Sequence, residues 1–243
     1  MIRRNRKRWI FLGLLLVITL ILSIGSLSTY AKDKYRFAVV YSIVHPFFAD
    51  TTKGAEDAAK EFGVQVVTMG PDTPDISKQI TIIEGLIAQR IDGIGLGVLE
   101  PKALTPYINE AIKRGIPVVT FDTDAPESDR LCFIGTNNVE AGKHAGREVI
   151  KILKEKYGSP KGKICISMGV PTQLNLIQRV DGFKEIISKY PDVKIVDMQT
   201  GYGDPEKTTA NIENMVTAHP DMDVLFGVDA QAGPSAVVVW KER

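Results

Sequence analysis

Eight short apolar runs rich in β-branched residues, spaced along residues 36–228, constrain the fold of this chain more than any other feature. Helical segments separate most of them. Strands that alternate with helices form parallel sheets with helices on both faces. The runs are continuously apolar, which is typical of parallel strands buried on both faces. In chain order they are RFAVVYS, VQVVTM, DGIGLGV, IPVVTF, LCFIGT, KICISMG, VKIVDM and MDVLFGV.

A long polar and helical stretch between the fifth and sixth runs indicates a crossover from one sheet to the next. It reads TNNVEAGKHAGREVIKILKEKYGSPKGK and favours a helix from about Val139 to Tyr157. We therefore predict an α/β fold of two doubly wound parallel-sheet lobes. The first lobe lies near residues 35–137 and the second near residues 138–243.

The first 31 residues differ from the rest of the chain. Basic residues precede an apolar run from Trp9 to Leu27, and no acidic residue occurs before Ala31. A basic segment followed by an apolar run is typical of an export signal, and this run is long enough to span a bilayer. Residues 1–31 are therefore either a cleaved signal peptide or a retained membrane anchor. Both alternatives predict an extracytoplasmic protein, secreted or anchored by its N-terminal segment.

Charge and short motifs exclude several function classes. The net charge is +1, and removing residues 1–31 leaves about −4, so no basic excess indicates nucleic-acid binding. The sequence contains no nucleophile elbow, and its candidate phosphate, dinucleotide and calcium loops each lack a required residue. We therefore predict no catalytic residue, no cofactor and no metal site.

Two cysteines, Cys132 and Cys165, lie within apolar runs that predict strands. An exported protein could join them in a disulfide. Burial as free thiols is the interpretation that their surroundings favour.

The stretch VVYSIVHPFF ends an apolar run with two large aromatic residues. Pro46 suits the first position of a helix, and the residues after it follow a helical period. This pattern predicts that Phe48 faces the core while Phe47, about 100° away on a helical wheel, points elsewhere. The predicted core stripe consists of Phe48, Thr52, Ala55, Ala59 and Phe62.

Polar residues cluster where the predicted strands end. In open α/β sheets, ligands bind beyond the carboxyl ends of the strands. The segments there supply carboxylates, side-chain amides, glycines and two phenylalanines, and Arg179 follows one of them in the next helix. Aromatic rings pack on the C–H face of a sugar, and carboxylates and arginine bind hydroxyl groups. The sequence therefore favours a polyhydroxylated ligand.

Several motifs resemble one family in order and spacing over nearly all of residues 35–243. They are YSIVHPFFADTTKGAEDAAKEFG, GIPVVTFDTDAP, FIGTNNVEAGKHAG, QRVDGFKE and VTAHPDMDVLFGV. This chain resembles the type I periplasmic binding proteins, and more narrowly the ribose-binding-protein-like sugar receptors of bacterial ABC transporters. The motifs are specific for the family but not for one ligand.

The resemblance implies a set of ligand-binding residues from both lobes. His45 and Asp229 stand where asparagines are common in the family, and Thr123 replaces the arginine of the ribose receptor, which argues against ribose. Gly203 is an alternative to Tyr202 for the aromatic residue of the second lobe. The implied residues are His45, Phe47, Phe48, Asp122, Thr123, Asn137, Arg179, Tyr202 and Asp229.

The resemblance also implies that the chain crosses back from the second lobe to complete the first. The sequence stops at VVVWKER, inside a predicted helix. We therefore expect the second crossover and its ligand residues to be missing, the second lobe to be incomplete, and the chain to be a fragment or a truncated product.

The resemblance implies a non-enzymatic receptor that closes two lobes around a small sugar and delivers it to the membrane permease of an ABC transporter. An alternative is a membrane-anchored sensing domain that signals to a two-component kinase or chemoreceptor. An enzyme on the same fold is a third hypothesis, which no catalytic motif supports.

Overall fold

The computed structural model describes residues 34–241 of the chain. The predicted signal peptide or anchor at residues 1–31 lies outside this range. Within it, no helix is both long enough and apolar enough to cross a membrane.

All eight apolar runs form strands. Each strand is short, between two and eight residues. Along the described residues the strands are β1 (Arg36–Val40), β2 (Gln65–Met69), β3 (Gly93–Leu96), β4 (Val118–Phe121), β5 (Phe133–Ile134), β6 (Gly162–Met168), β7 (Val193–Thr200) and β8 (Val224–Gly227).

Helices alternate with these strands, and a short 3₁₀ turn at Pro46–Phe48 precedes the first of them. Asparagine or aspartate side chains accept backbone N–H groups at the start of several helices, which favours initiation there. The α-helices of residues 34–241 are α1 (Ala49–Phe62), α2 (Ile76–Ala88), α3 (Pro101–Lys113), α4 (Asn138–Tyr157), α5 (Leu174–Ile187), α6 (Pro205–Ala218) and α7 (Ala232–Lys241).

The strands form two parallel sheets. The first sheet has the order β2-β1-β3-β4-β5, and the second has the order β7-β6-β8. Every pairing within them is parallel, so all carboxyl ends of one sheet lie along one edge. This confirms the predicted fold class. The lobe bounds at residues 35–137 and 138–243 stay a prediction.

Each sheet has its own apolar core. In the first, Val40 and Leu96 from the strands pack against Ile83 and Leu104 from α2 and α3. In the second, Phe183 of α5 is fully buried and stacks on Phe226 of β8, with ring centroids 4.2 Å apart. Strand and helix residues fill both cores. The polar segments that follow the strands are therefore not needed for core packing, and their side chains can line a binding site.

Two details of the predicted burial are wrong. Phe62 was assigned to the core stripe of α1 but is 73% exposed, because it is the last residue of the helix and the chain turns away at Gly63. Cys132 was assigned to a buried position but is exposed, because it precedes the two-residue edge strand β5.

Both cysteines are free thiols in the structure. Cys165 lies in the middle of β6 and is buried, as predicted. Burial, and the neighbouring Asp197, raise the pKa of the Cys165 thiol to about 11. The thiol therefore stays protonated at neutral pH and has a packing role.

Candidate ligand-binding site

A cavity of about 120 Å³ lies between the carboxyl edges of the two sheets. It is lined by the segments that follow β1, β4, β6, β7 and β8 and by the first turns of α5, so both sheets contribute to it. The lining residues are Ser42, Ile43, His45, Phe47, Phe48, Asp122, Gly169, Val170, Gln173, Asn175, Leu176, Arg179, Gly203, Asp229, Ala230 and Gln231.

An aromatic pair forms the wall on the side of the first sheet. Phe48 is only 5% exposed because it stacks on Tyr41, with centroids 4.7 Å apart, and meets the edge of Phe121. Phe47 is 57% exposed, and its ring stands at 80° to that of Phe48. Phe48 therefore anchors the turn, and Phe47 presents its ring towards solvent and the cavity.

The 3₁₀ turn that orients this pair is fixed by His45. Its ring nitrogen Nδ1 accepts the backbone N–H of Phe47 at 3.0 Å, and its carbonyl accepts that of Phe48 at 3.0 Å. Pro46 supplies the φ angle that the start of the turn requires. The other ring nitrogen, Nε2, contacts the side-chain amide of Gln231 beyond β8. His45 therefore connects the turn of the first sheet to the second.

Asp122 follows β4 directly and projects into the cavity. Its backbone has a left-handed conformation, with φ of 58°, which aspartate tolerates better than most residues. Its Oδ2 accepts a hydrogen bond from Nδ2 of Asn175 at 3.3 Å, across the space between the sheets. Burial raises the pKa of the Asp122 carboxyl, and Arg179 opposes that shift. The carboxylate is thus poorly hydrated, which strengthens the hydrogen bonds that it accepts.

The segment after Asp122 is held by an ion pair. The guanidinium of Arg130 contacts both carboxylate oxygens of Asp124, with Nη2 at 2.6 Å from Oδ2. The hydroxyl of Thr120 donates to the same carboxylate at 2.6 Å. Burial alone would raise the pKa of Asp124, but these donors outweigh it and lower the pKa. The clamp fixes the course of the chain on both sides of Asp122.

Arg179 enters the cavity from α5. Its Nε donates to Oδ1 of Asn138 at 2.7 Å, and its Nη1 donates to the carbonyl of Val228 at 2.9 Å. An arginine side chain has five N–H donors. Two are used by these contacts, and the remaining donors are available to oxygen atoms of a ligand.

Asp229 faces the cavity from the segment after β8. Its Oδ1 accepts the backbone N–H of Ala232 at 3.1 Å and so caps the start of α7. Burial raises the pKa of the Asp229 carboxyl, although the backbone N–H groups of the cap oppose the shift. Asp229 therefore has a structural role as well as a position in the cavity wall.

The structure brings six of the nine residues implied by sequence into the cavity lining: His45, Phe47, Phe48, Asp122, Arg179 and Asp229. Thr123 does not line it, because its side chain is fully buried behind Asp122. Asn137 caps α4 by accepting the N–H of Glu140 at 3.2 Å. Tyr202 is exposed, with the ammonium of Lys207 4.1 Å from its ring centroid, whereas its neighbour Gly203 lines the cavity.

Sequence reasoning did not single out several polar residues that line the cavity. Nε2 of Gln173 donates to Oγ of Ser42 at 3.0 Å, in a buried bond that joins the two sheets. Asn175 and Gln231 make the contacts to Asp122 and His45 described above. Ser42, Gln173 and Gln231 do lie in the strand-end segments, but position alone did not separate them from their neighbours.

A second cavity, of about 370 Å³, lies beside the first between the start of α3 and the start of α5. Half of its lining residues are proline, leucine or isoleucine, the other half are charged residues or threonine, and none is aromatic. The smaller cavity is the better candidate because aromatic, carboxylate, amide and guanidinium groups converge there. Among the described residues, no cluster of three His, Cys, Asp or Glu side chains offers a metal site.

Comparison with known proteins identifies the family. The sequence model of the family described as "periplasmic binding protein domain" matches residues 37–243. The chain belongs to this family. The match thus covers all but the first residue of the two sheets and all of the residues that line the cavity.

Two named relatives of this periplasmic binding protein have names that state a sugar ligand. It is 31% identical to the D-ribose/D-allose-binding protein of Pseudomonas aeruginosa over 87% of this chain and 68% of that protein. It is 29% identical to the ribose import binding protein RbsB of Bacillus subtilis over 80% of this chain and 62% of RbsB. The chain thus spans about two thirds of the length of these relatives.

Solved structures are similar over the same region. A solute-binding protein of an ABC transporter from Burkholderia graminis, in complex with D-arabinose, matches with a TM-score of 0.83 and 35% identity, over 87% of this chain and 72% of that one. XylFII in the XylFII–LytSN complex matches with a TM-score of 0.80 and 30% identity, over 86% and 75%. The fold of this periplasmic binding protein domain is therefore that of these solved structures, one of which contains D-arabinose.

Proposed function

We propose that this protein is an extracytoplasmic solute-binding protein that binds a small sugar or sugar-like molecule and delivers it to an ABC transporter. The observation that carries the proposal is the cavity between the two sheets, where Phe47, Asp122 and Arg179 converge. The names of the relatives and of the solved structures support the same ligand class.

Each of these groups suits a different part of a sugar. The exposed ring of Phe47 offers a flat apolar surface for C–H groups. The carboxylates of Asp122 and Asp229 accept hydrogen bonds from hydroxyls, and the unused donors of Arg179 bind adjacent ring or hydroxyl oxygens. Hydrogen-bonding sites of this kind discriminate between sugars because a missing hydroxyl leaves a buried polar group unpaired.

Binding would be coupled to movement of two lobes around the cavity. We propose that the sheets belong to lobes with bounds near residues 35–137 and 138–243. A ligand that contacts both lobes binds the closed form more tightly and shifts the population towards it. The closed form is then recognised by the membrane permease of the transporter. This role requires no chemical step, and we propose that the protein is not an enzyme.

Thermal unfolding of the purified protein with a panel of pentoses, hexoses, inositols and disaccharides tests the proposal. A ligand at 100 times its Kd adds about 2.7 kcal/mol to the free energy of unfolding. We expect one sugar class to raise Tm clearly and a Phe47→Ala variant to reduce that shift. A cooperative transition that no member of the panel moves would contradict sugar binding.

A sensor is a second candidate function, supported by the similarity to XylFII in its complex with LytSN. In this role residues 1–31 would stay as a membrane anchor, and the closed form would be read by a sensor kinase or chemoreceptor. N-terminal sequencing of the mature protein separates the two candidates. Retention of residues 1–31 favours the sensor, and their removal contradicts it.

A further inference from the structure

We propose that Asn138 is a positioning residue for sugar binding, acting through Arg179. The inference rests on the proposed function. Asn138 does not line the cavity, and its side chain acts from behind it. Its role is to hold the guanidinium so that the remaining N–H donors of Arg179 stay available to the ligand.

Both the oxygen and the nitrogen of the Asn138 side-chain amide are hydrogen-bonded. Its Oδ1 accepts from Nε of Arg179 at 2.7 Å, and its Nδ2 donates to the carbonyl of Thr136 at 3.0 Å. The side chain is 2% exposed, so neither bond competes freely with water. Only a side chain with a donor and an acceptor in this arrangement satisfies Arg179 and Thr136 together.

A second contact fixes the other end of the guanidinium. The carbonyl of Val228, the residue after β8, accepts from Nη1 at 2.9 Å. Val228 is itself buried, so this acceptor has little freedom. With Nε and Nη1 both held, the plane of the guanidinium is determined by protein contacts before any ligand binds. A preorganised group of this kind binds more tightly because less rotational freedom is lost.

The backbones that carry the pair are also in close contact. A Cβ added at Gly142 of α4 would lie 2.0 Å from the carbonyl oxygen of Arg179, and one at Gly182 of α5 would lie 2.1 Å from that of Val139. The two helices therefore touch along their main chains within about one turn of the pair. This contact keeps the distance between Asn138 and Arg179 constant, so the amide can act as a fixed support.

The position of Asn138 in the chain gives it a further role. It is the first residue of α4, directly after the segment that leads from the first sheet to the second. Its bond to Thr136 reaches back into that connecting segment. The cavity residue Arg179 is thus joined, through one buried amide, to the chain that links the two sheets.

The test compares Asn138→Ala, Asn138→Asp and Asn211→Ala in the full chain. Asn138→Ala removes both contacts, whereas Asn138→Asp keeps an acceptor for Arg179 and loses the donor to Thr136. Asn211→Ala is the matched control, because its Nδ2 also donates to a backbone carbonyl, that of Thr200, and it lies outside the cavity lining. Sugar affinity is measured by calorimetry, and the Nε–H signal of Arg179 is followed by NMR after assignment with Arg179→Lys.

We expect Asn138→Ala to weaken sugar binding about tenfold or more and to shift the Arg179 Nε–H signal or speed its exchange. Asn138→Asp should bind within about threefold of the wild type, and its Nε–H signal should stay protected. Asn211→Ala should change neither readout. A structural role alone would not produce this order of affinities.

Three results would overturn the inference. They are wild-type affinity in Asn138→Ala, an Arg179 signal in Asn138→Ala like that of the wild type, and an affinity of Asn138→Asp as low as that of Asn138→Ala. If Asn138→Ala does not fold, Asn138→Asp decides alone, since a large loss of affinity with a retained signal contradicts the role. If the wild type binds no sugar, the proposed function fails, and the NMR comparison still decides whether Asn138 holds Arg179.

Discussion

Two neighbouring phenylalanines have different roles because the turn between β1 and α1 directs their side chains apart. Phe48 is buried among aromatic rings, whereas Phe47 is largely exposed at the cavity. The cap from His45 and the conformation of Pro46 set this division. At the residue scale, we therefore predict that stability and sugar binding can be changed separately.

Truncation of the ring of Phe47 should affect sugar binding, whereas truncation of the ring of Phe48 should affect stability. We expect Phe47→Ala to lower sugar affinity about tenfold while changing the free energy of unfolding by less than about 1 kcal/mol, because little of its surface is buried. Phe48→Ala should cost about 3–5 kcal/mol of stability, because it leaves a hole in a packed cluster. Calorimetric titration and urea unfolding measure the two effects. Equal losses of stability in both variants would refute the division.

Replacement of Asp122 by asparagine should raise stability and impair binding. Burial raises the pKa of this carboxyl, so its ionised form is less favourable in the folded protein than in the unfolded chain. The cost is fully present above the folded pKa and disappears below the ordinary pKa of aspartate. Asp122→Asn should therefore have a higher Tm than the wild type at pH 7, and the difference should vanish as the pH falls to about 3.

The Asp122→Asn variant should also bind sugar more weakly than the wild type. A neutral amide accepts weaker hydrogen bonds than a carboxylate, so we expect affinity to fall about tenfold or more. The comparison of Tm with and without sugar, over a range of pH, measures both effects in one experiment. A lower Tm of Asp122→Asn at pH 7 would show that the carboxylate is net stabilising and would contradict the argument.

At the scale of elements, the contact between α4 and α5 determines where Arg179 stands. Gly142 and Gly182 allow the main chains of the two helices to meet. The ion pair of Asp124 with Arg130 has a similar role for the segment that carries Asp122. Arg179 and Asp122 are thus each supported by a rigid contact behind them, which is how a binding site keeps its geometry.

Addition of one methyl group at the helix contact should separate the two helices. Gly182→Ala places a Cβ 2.1 Å from the carbonyl oxygen of Val139, and we expect it to cost at least about 1–3 kcal/mol. Gly54→Ala, in α1, is the matched control because nothing lies within 4 Å of its added Cβ. It should stabilise the protein by about 0.5–1 kcal/mol through helix propensity. Chemical unfolding of both variants checks the contrast, and similar stabilities would disprove the close contact.

At the scale of the whole molecule, the cavity exists only because two sheets meet. Among residues 34–241, three side-chain contacts join them across the cavity: Gln173 with Ser42, Asn175 with Asp122, and Gln231 with His45. Each joins residues that are at least 53 positions apart in sequence. In the proposed closure of two lobes, these contacts would stabilise the arrangement in which the sheets meet, so that the ligand would not have to supply all of the free energy of closure.

Removal of one such contact should lower apparent affinity by shifting the population towards the open form. We expect Ser42→Ala and Gln173→Ala each to weaken sugar binding by about threefold to tenfold. Because the two side chains share one hydrogen bond, the double variant should be no weaker than the weaker single variant. Small-angle X-ray scattering without sugar should show a larger radius of gyration in all three. Additive losses of affinity would indicate separate ligand contacts instead.

How far prediction from sequence succeeded depends on whether the signal was local. The eight strands and the different burial of Phe47 and Phe48 are predicted correctly because periodicity and turn residues encode them over a few positions. The burial expected for Phe62 and Cys132 is wrong because burial there depends on what packs against them from elsewhere in the chain, which the local pattern does not encode. The binding roles of the cavity residues stay predictions until sugar binding is measured.

The sequence by itself determined the alternation of strands and helices, the parallel sheets and the edge at which polar residues collect, since each follows from local pattern and chain direction. Only the tertiary structure decided which polar residues meet. Thr123 is buried behind Asp122, and Tyr202 is exposed. Gln173 makes a buried contact across the cavity, and Asn138 makes one behind it. These choices depend on how two sheets and two helices pack, and contacts between residues distant in the chain leave no periodic signal in the sequence.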